Sequence, residues 1–469
     1  MKWIGVLAMT SVAVAATPKA PAKPAASAPK AAVRPAARKP VAARKAAPAV
    51  RKPAARRTPT AVARRYPAPV APVKVRTVAR ETVNAAAARF AAGNIENAGA
   101  LVPFFEQLYR HQLGLTEGPL RILHYGDSHT AADEWTGGMR QAFQARFGDG
   151  GSGYTFAGRP WNSYRRLDVK GWSTPGWYTD GLIGRNGDGR YGLGGIAMTA
   201  SRPRETVYLV ADGEKLEVYY LQQPGGGAIN VYDNGVLVEQ VSTAGELGPG
   251  YYVYLTTSGT HRFEIETVEY KPVRLFGWAV ENAKGVTYET LGINGAQASI
   301  AFAWDEALLA DNIGRRSPAL IVLAYGTNEA RNKDWTPESY RDMFLQLLER
   351  FRKAAPAASI LVLGPPDQAI QMGRSGWAPA AKLDMIVDAQ REAAAQMGCA
   401  FWDLRARMGG KGAMRNWVLA GMAQGDYVHF TTPGYKLIGE ALYRDLMAQY
   451  EEFLDVRARI AAAPAAGQH

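Results

Sequence analysis

Cysteine is almost absent from this chain of 469 residues, with Cys399 its single example. No intramolecular disulfide can form, so stability must come from a packed core. After the N-terminal segment no apolar run reaches the length of about 18–20 residues that a membrane-spanning helix needs. His, Cys and acidic residues nowhere fall at metal-ligand spacing, and no glycine-rich phosphate loop occurs, so neither a metal nor another cofactor is expected. A further absence is acid at the front: residues 1–80 hold 18 Lys or Arg and no Asp or Glu. The formal charge of +13 therefore belongs to that stretch, and the rest has 37 basic against 42 acidic residues. By charge, the folded part is not a nucleic-acid-binding module.

What stands at the front reads as an export pattern. Lys2, the nearly all-apolar stretch Trp3–Ala16, and the small-x-small triplet Ala13-Val14-Ala15 predict a signal peptide over 1–16. Those 14 residues are too few to cross about 30 Å of hydrocarbon as a helix. The expected location is periplasmic or secreted. Residues 17–75 are rich in Ala, Pro, Lys and Arg, with 12 prolines between Pro18 and Pro72. Proline blocks helix propagation and alanine offers little surface to bury, so this is read as a disordered, extended linker. Its charge suits contact with anionic envelope polymers or lipid heads, and equally suits mere solubility.

Order is expected from about residue 82, with helical spacing over 81–92 and 98–115. A buried-type strand, Leu120–Tyr125, then runs into Gly126-Asp127-Ser128 and a helix over 131–147. Between 160 and 285 period-two alternation replaces helical spacing, giving strands near 205–210, 215–222, 229–232, 236–241, 251–256 and 262–268. Asp233-Asn234-Gly235 reads as a hairpin turn, because Asn and Gly tolerate positive φ. After 286 strands and helices alternate again: strands at 319–325, 359–363 and 399–404, helices at 337–354, 380–397 and 433–454, with Pro379 suited to a first helical turn. The fold class is thus α/β, a parallel sheet flanked by helices, with an inserted all-β sandwich. The expected divisions are 76–160 and 286–469 for the α/β part and 161–285 for the insert.

Acyl-transfer chemistry needs a nucleophile, a base, a group orienting that base, and donors for the oxyanion. In an open parallel sheet these belong on loops leaving the carboxyl ends of strands. Four loops fit in order. Ser128 follows the first strand at a helix start, where backbone N–H groups favour a developing anion. Leu291-Gly292-Ile293-Asn294-Gly295-Ala296 holds two glycines, Gly292 and Gly295, and an unhindered amide could come from either. Gly326-Thr327-Asn328-Glu329 supplies an amide that donates without titrating. Asp426-Tyr427-Val428-His429 places a carboxylate three residues before an imidazole, ahead of the last helix. Each signal is weak alone; their order on these elements carries the weight.

At these four blocks the chain resembles the SGNH, or GDSL-type, hydrolase superfamily over about 118–160 and 286–455. The resemblance implies Ser128 as nucleophile with Asp426 and His429 as partners, and Gly295 and Asn328 as the oxyanion hole. Glu329 departs from the family's commoner Asp. Ile122–His129 and Gly292–Ala296, with 167 residues between Ser128 and Gly295, resemble exported peptidoglycan O-acetylesterases whose insert is like a carbohydrate-binding module. That implies an O-acetylated glycan substrate. Acetyl transfer at the same site, or a non-catalytic glycan-binding role, are the alternatives.

The aromatics Tyr154, Trp161, Tyr164, Trp172, Trp177, Tyr178 and Tyr191 suit either sugar stacking or a domain seam. His124 is expected in the core, His111 in a helix and His261 in a β turn, while His129 is a weaker candidate to line the site.

Overall fold

The computed structural model describes residues 69–89, 94–184, 187–373 and 376–462. The expected signal peptide and nearly all of the basic linker lie outside the described residues. Among the described residues no helix is long and apolar enough to cross a membrane.

A six-stranded sheet forms the centre of the α/β part. Its order is Ile95–Glu96, Ala400–Trp402, Ser359–Leu363, Leu320–Ala324, Leu120–Gly126, Val286–Gly292. All neighbours are parallel except the short Ile95–Glu96 edge. Side chains alternate between two cores, as a strand's period of two requires. Leu123, Tyr125, Ile321, Leu323, Ile360 and Val362 face one core with helices Glu306–Arg316, Pro337–Ala354 and Leu383–Gln396. Ile122, Leu320, Val322, Leu361 and Leu363 face the other, with helices Glu134–Phe147 and Thr432–Ala462. Covered on both faces, these strands read as continuous apolar runs.

Strand order fixes where a site can form. The chain lays Val286–Gly292 on one side of Leu120–Gly126 and then crosses to lay Leu320–Ala324 on the other. That reversal opens a crevice at the carboxyl ends of the central strands. Register brings the exits level, since Gly126 pairs with both Gly292 and Ala324.

The region between holds two antiparallel sheets. One is ordered Val236–Ser242, Ala228–Asp233, Thr260–Thr267, Thr206–Asp212, Lys170–Ser173. The other is ordered Gly248–Leu255, Lys215–Gln222, Val273–Glu281, Ala197–Ala200, Tyr178–Asp180, with Gly153–Phe156 also on Val273–Glu281. Val207, Leu209, Ile229, Val231, Phe263 and Ile265 from the first share a core with Leu216, Val218, Leu275 and Trp278 from the second. The opposite face of the second sheet is also buried: Tyr219, Leu221, Phe276 and Ala279 join the α/β core. The hairpin turn falls as expected, with Asn234 at φ 50° and Gly235 at φ 81°.

Several expectations shift. The first helix begins at Val73, ahead of the apolar spacing that marked it. His261 lies within a strand, buried against Asp233, and not in a turn. Pro379 closes the small hairpin Ala369–Gln371/Trp377–Pro379, and the helix after it starts only at Leu383. Val286–Gly292 was not anticipated as a strand, because Thr287, Glu289 and Thr290 interrupt its apolar pattern.

Candidate active site

Ser128 opens a single helical turn, Ser128–Ala131, directly after the Leu120–Gly126 strand. Asp127 caps that turn, its carboxylate accepting the His129 N–H at 2.9 Å. Burial pushes the Asp127 carboxyl up to about 6 against the opposing hydrogen bonds and the nearby His429 charge. The Ser128 Oγ lies 2.9 Å from Nε2 of His429, 301 residues further along the chain.

His429 is held by its own loop. Asp426 Oδ2 accepts from Nδ1 at 2.7 Å, while Oδ1 accepts the N–H groups of Val428 and His429 at 3.0 Å each. Burial works to raise the Asp426 carboxyl, but the hydrogen bonds and charge of His429 outweigh it and hold it below the usual range. With Nδ1 donating, Nε2 is free to accept from the serine hydroxyl. The turn puts Tyr427 at φ 58°, a left-handed conformation that bulky side chains rarely adopt. Trp377 stacks on the Tyr427 ring at 4.3 Å, which packs this conformation from outside.

The two glycines of the second loop separate cleanly. A Cβ on Gly292 would fall 2.2 Å from the backbone nitrogen of Ala131, so this glycine lets strand and helical turn meet. Gly295 has φ 78°, and a Cβ there would meet only the Ile183 side chain, at 3.8 Å. Asn328 follows the Leu320–Ala324 strand, and its Nδ2 spends one of two N–H groups on the Ala296 carbonyl at 2.8 Å. Glu329 stitches the second and third loops together: it accepts Ala298 N–H at 2.7 Å and Gly326 N–H at 3.1 Å. Burial pushes its carboxyl up to about 7, against these backbone hydrogen bonds.

Two clefts meet at Ser128 and His429. One, of ≈ 750 Å³, is bounded by Glu134, Arg165, Asn294 and Thr432. The other, of ≈ 840 Å³, is bounded by Asn328, Arg331, Lys333, Trp377 and Lys382. Such a groove has room for far more than an acyl group.

With this geometry in view, the comparisons decide the lineage. The GDSL-like Lipase/Acylhydrolase family model matches residues 260–437. A solved peptidoglycan O-acetylesterase is 30% identical, with TM-score 0.64, covering 75% of this chain and 96% of its own. The chain belongs to the GDSL-like lipase/acylhydrolase family. It is an esterase, with the SGNH-type parallel sheet. Carbohydrate esterases of family two lie further off: one from Clostridium thermocellum, in complex with cellohexaose, is 11% identical, TM-score 0.27, covering 54% of this chain and 95% of its own. One from Cellvibrio japonicus is 14% identical, TM-score 0.25, covering 61% and 98%. No curated protein matches the chain.

In this GDSL-type esterase the model match takes in Gly295, Asn328, Asp426 and His429 but begins after Ser128; the fold returns Ser128 to them. Of the other histidines, His124 is a core residue bonded to the Tyr288 hydroxyl at 2.8 Å. His129 is buried behind the site on the Tyr435 hydroxyl at 3.0 Å, and burial lowers it to about 3, so it stays neutral. It lines an internal cavity, not the groove. Of the 154–192 aromatics, Tyr154, Trp177 and Tyr191 are buried and Trp161 and Tyr164 pack on the α/β core, leaving Trp172 and Tyr178 exposed.

Sequence reasoning missed the supports. Asp133, at φ 54° and buried, accepts from Arg140 at 2.7 Å, Thr290 at 2.6 Å and the Leu167 N–H at 2.7 Å. It thereby ties the helix behind Ser128 to the strand leading into Gly295. Glu329 was noted only as a departure from Asp; two acceptors reaching across two loops explain the longer side chain.

Proposed function

We propose that this protein is an exported serine esterase that removes O-acetyl groups from a cell-wall polysaccharide, namely peptidoglycan. The observation that carries the reading is the chain of hydrogen bonds from Ser128 Oγ through His429 to Asp426, 2.9 and 2.7 Å long, at the bottom of an open groove. The likeness to a peptidoglycan O-acetylesterase supplies the substrate class.

His429 takes the proton of Ser128 Oγ as the oxygen attacks the acetyl carbonyl, and Asp426 stabilises the resulting imidazolium. The oxyanion rests on the N–H groups of Ser128 and Gly295 and on the second N–H of the Asn328 amide. His429 then passes its proton to the departing sugar hydroxyl, leaving acetyl on Ser128. Water, deprotonated by His429, attacks that ester and releases acetate and free serine.

Export belongs to this proposal through the 1–16 pattern, and residues 161–285 belong to it as an inserted glycan-binding sandwich. Supporting the latter, Trp172 is exposed and stacks on Tyr208 at 6.0 Å, while Arg262 lies 4.4 Å from the same tyrosine ring. The test is acetate released from O-acetylated peptidoglycan by the full chain and by Ser128→Ala. Release by the parent alone supports the nucleophile and the substrate together. Cleavage of a small acetyl ester without release from the polymer would discard the polymer and keep the site.

A further inference from the structure

The two halves of the groove differ in charge. In the half reached through Glu134, the Arg165 guanidinium is paired with the Glu134 carboxylate. In the half reached through Asn328, Arg331, Lys333 and Lys382 line the wall, and among the described residues no carboxylate lies within ion-pairing distance of any of them. The Lys382 ammonium is held by the carbonyls of Lys333 and Trp335, the latter at 2.7 Å, which fixes its position without neutralising it. Arg331 bonds the neutral Gln368 Oε1 through Nε at 3.3 Å, leaving the rest of its donor fork unspent on that partner. Asp426 is the acid of this half, and its charge is spent on His429. Beyond residue 80 the chain has more acid than base, 42 against 37, so three uncompensated cations in one cleft are not an average of the surface.

The same half carries a flat apolar surface. Trp377 lines this cleft, is 40% exposed and lies nearly parallel to Tyr427, at 21°, so one ring face is packed. An aromatic plane beside these cations suits a ring-shaped, polyhydroxylated unit bearing a negative group.

We propose that this half of the groove is a subsite for carboxylate-bearing glycan, and that Arg331 and Lys333 make the enzyme prefer an anionic acetylated polymer over a neutral one. The inference rests on the reading of the site as an O-acetyl-glycan esterase and says which glycans it takes. Long-range attraction raises the encounter rate and local concentration of an anionic substrate, so it acts on KM and kcat/KM and leaves the chemistry at Ser128 alone.

The experiment measures acetate release by the full chain from O-acetylated peptidoglycan fragments with free carboxylates, from the same fragments after carboxyl amidation, and from a neutral acetylated polysaccharide. The expected result is a preference of about tenfold in kcat/KM for the free acid over the amide, shrinking as salt rises and screens the cations. In Arg331→Ala/Lys333→Ala the preference should vanish, kcat/KM on the free-acid fragments falling about tenfold to its value on the amidated ones. Trp377→Ala should raise KM on both fragment forms, and Trp377→Phe should restore it. Equal rates of the parent on free-acid and amidated fragments would overturn the proposal, as would a preference that survives in the double variant. No acetate from either fragment form, with release from the neutral polysaccharide, would instead overturn the peptidoglycan reading and this one with it.

Discussion

The parallel sheet and the two antiparallel sheets solve burial differently. In the parallel sheet every central strand is covered on both faces by helices, and the candidate site sits at the strand ends, where register levels three loops. The five-stranded antiparallel sheet buries one face only: along Thr206–Asp212, Val207, Leu209 and Ala211 turn inward while Tyr208 faces out. The antiparallel sheet between them, centred on Lys215–Gln222 and Val273–Glu281, is buried on both faces, one toward each neighbour. Sheets stacked in this way have no free linker between them. The region that interrupts the α/β part is therefore welded to it, and this sets what each perturbation should do.

The largest effect should come from the strand ends. Ser128→Ala is expected to lower acetyl-ester hydrolysis by about a thousandfold or more, while leaving the melting temperature within a degree or two of the parent, because the hydroxyl's hydrogen bond is to the partly exposed His429. A comparable loss of stability would mean that Ser128 is a structural cap and would break the division between chemistry and scaffold.

Next is the weld. Arg316, wholly buried at the end of helix Glu306–Arg316, bonds Glu281 of the antiparallel sheet at 2.7 Å and Glu289 of the parallel one. Glu281 is further held by Arg121 at 2.6 Å. Burial works to raise the Glu281 carboxyl, but the Arg316 and Arg121 charges hold it well below the usual range. Arg316→Met leaves Glu289 buried without this partner and should cost about 3–5 kcal/mol. A thermal scan should show one transition moved down as a whole. Two separate transitions would show that the antiparallel sheets melt alone and that the shared layer does not couple them.

These two predictions also mark what sequence could and could not reveal. The meeting of Ser128, Asn328, Asp426 and His429 was legible because the loops of the first two follow recognisable buried strands and because the Asp-x-x-His spacing ahead of the last helix is local. The outward-inward alternation of 205–268 was legible for the same local reason. Arg316, Asp133 and Glu289 were not, since each acts on partners in other elements: Arg140 alone joins nearby Asp133 to Tyr288 and Thr290, 148 and 150 residues further on. A buried charge has no local periodic signature, and Glu289 instead disguised its strand. The aromatics of 154–192 were ambiguous for a related reason, because a tryptophan in a seam and one on a surface look alike in one dimension.

A smaller effect should separate support from chemistry within the site. Glu329→Gln keeps one acceptor oxygen for two N–H donors, so one of the Ala298 and Gly326 amides loses its partner. We expect kcat on a small acetyl ester to fall about tenfold with KM little changed, as for a displaced oxyanion donor. The same residue makes stability depend on pH. Its folded carboxyl holds its proton up to about 7, against a usual 4.5, so the folded state binds more protons across that interval. Stability from this group is full below about 4.5 and is lost as pH rises through about 7. Melting temperatures measured between those values should fall with rising pH in the parent and less in Glu329→Gln; parallel curves would refute the assignment.

The smallest expected effect falls on the outward face of the five-stranded sheet, and it sharpens the comparison most finely. Trp172 is 41% exposed on the edge strand Lys170–Ser173, stacked on Tyr208. Removing it from a surface costs little in folding, so Trp172→Ala should shift stability by no more than about 0.5 kcal/mol. Nor should it alter turnover of a small acetyl ester, since Trp172 lines neither half of the groove at Ser128. If the face is used for glycan, retention on insoluble peptidoglycan should nonetheless drop severalfold, because sugar rings lose their stacking partner. Unchanged retention would leave the antiparallel sheets with a purely structural part, that of completing the layer on which the α/β core packs.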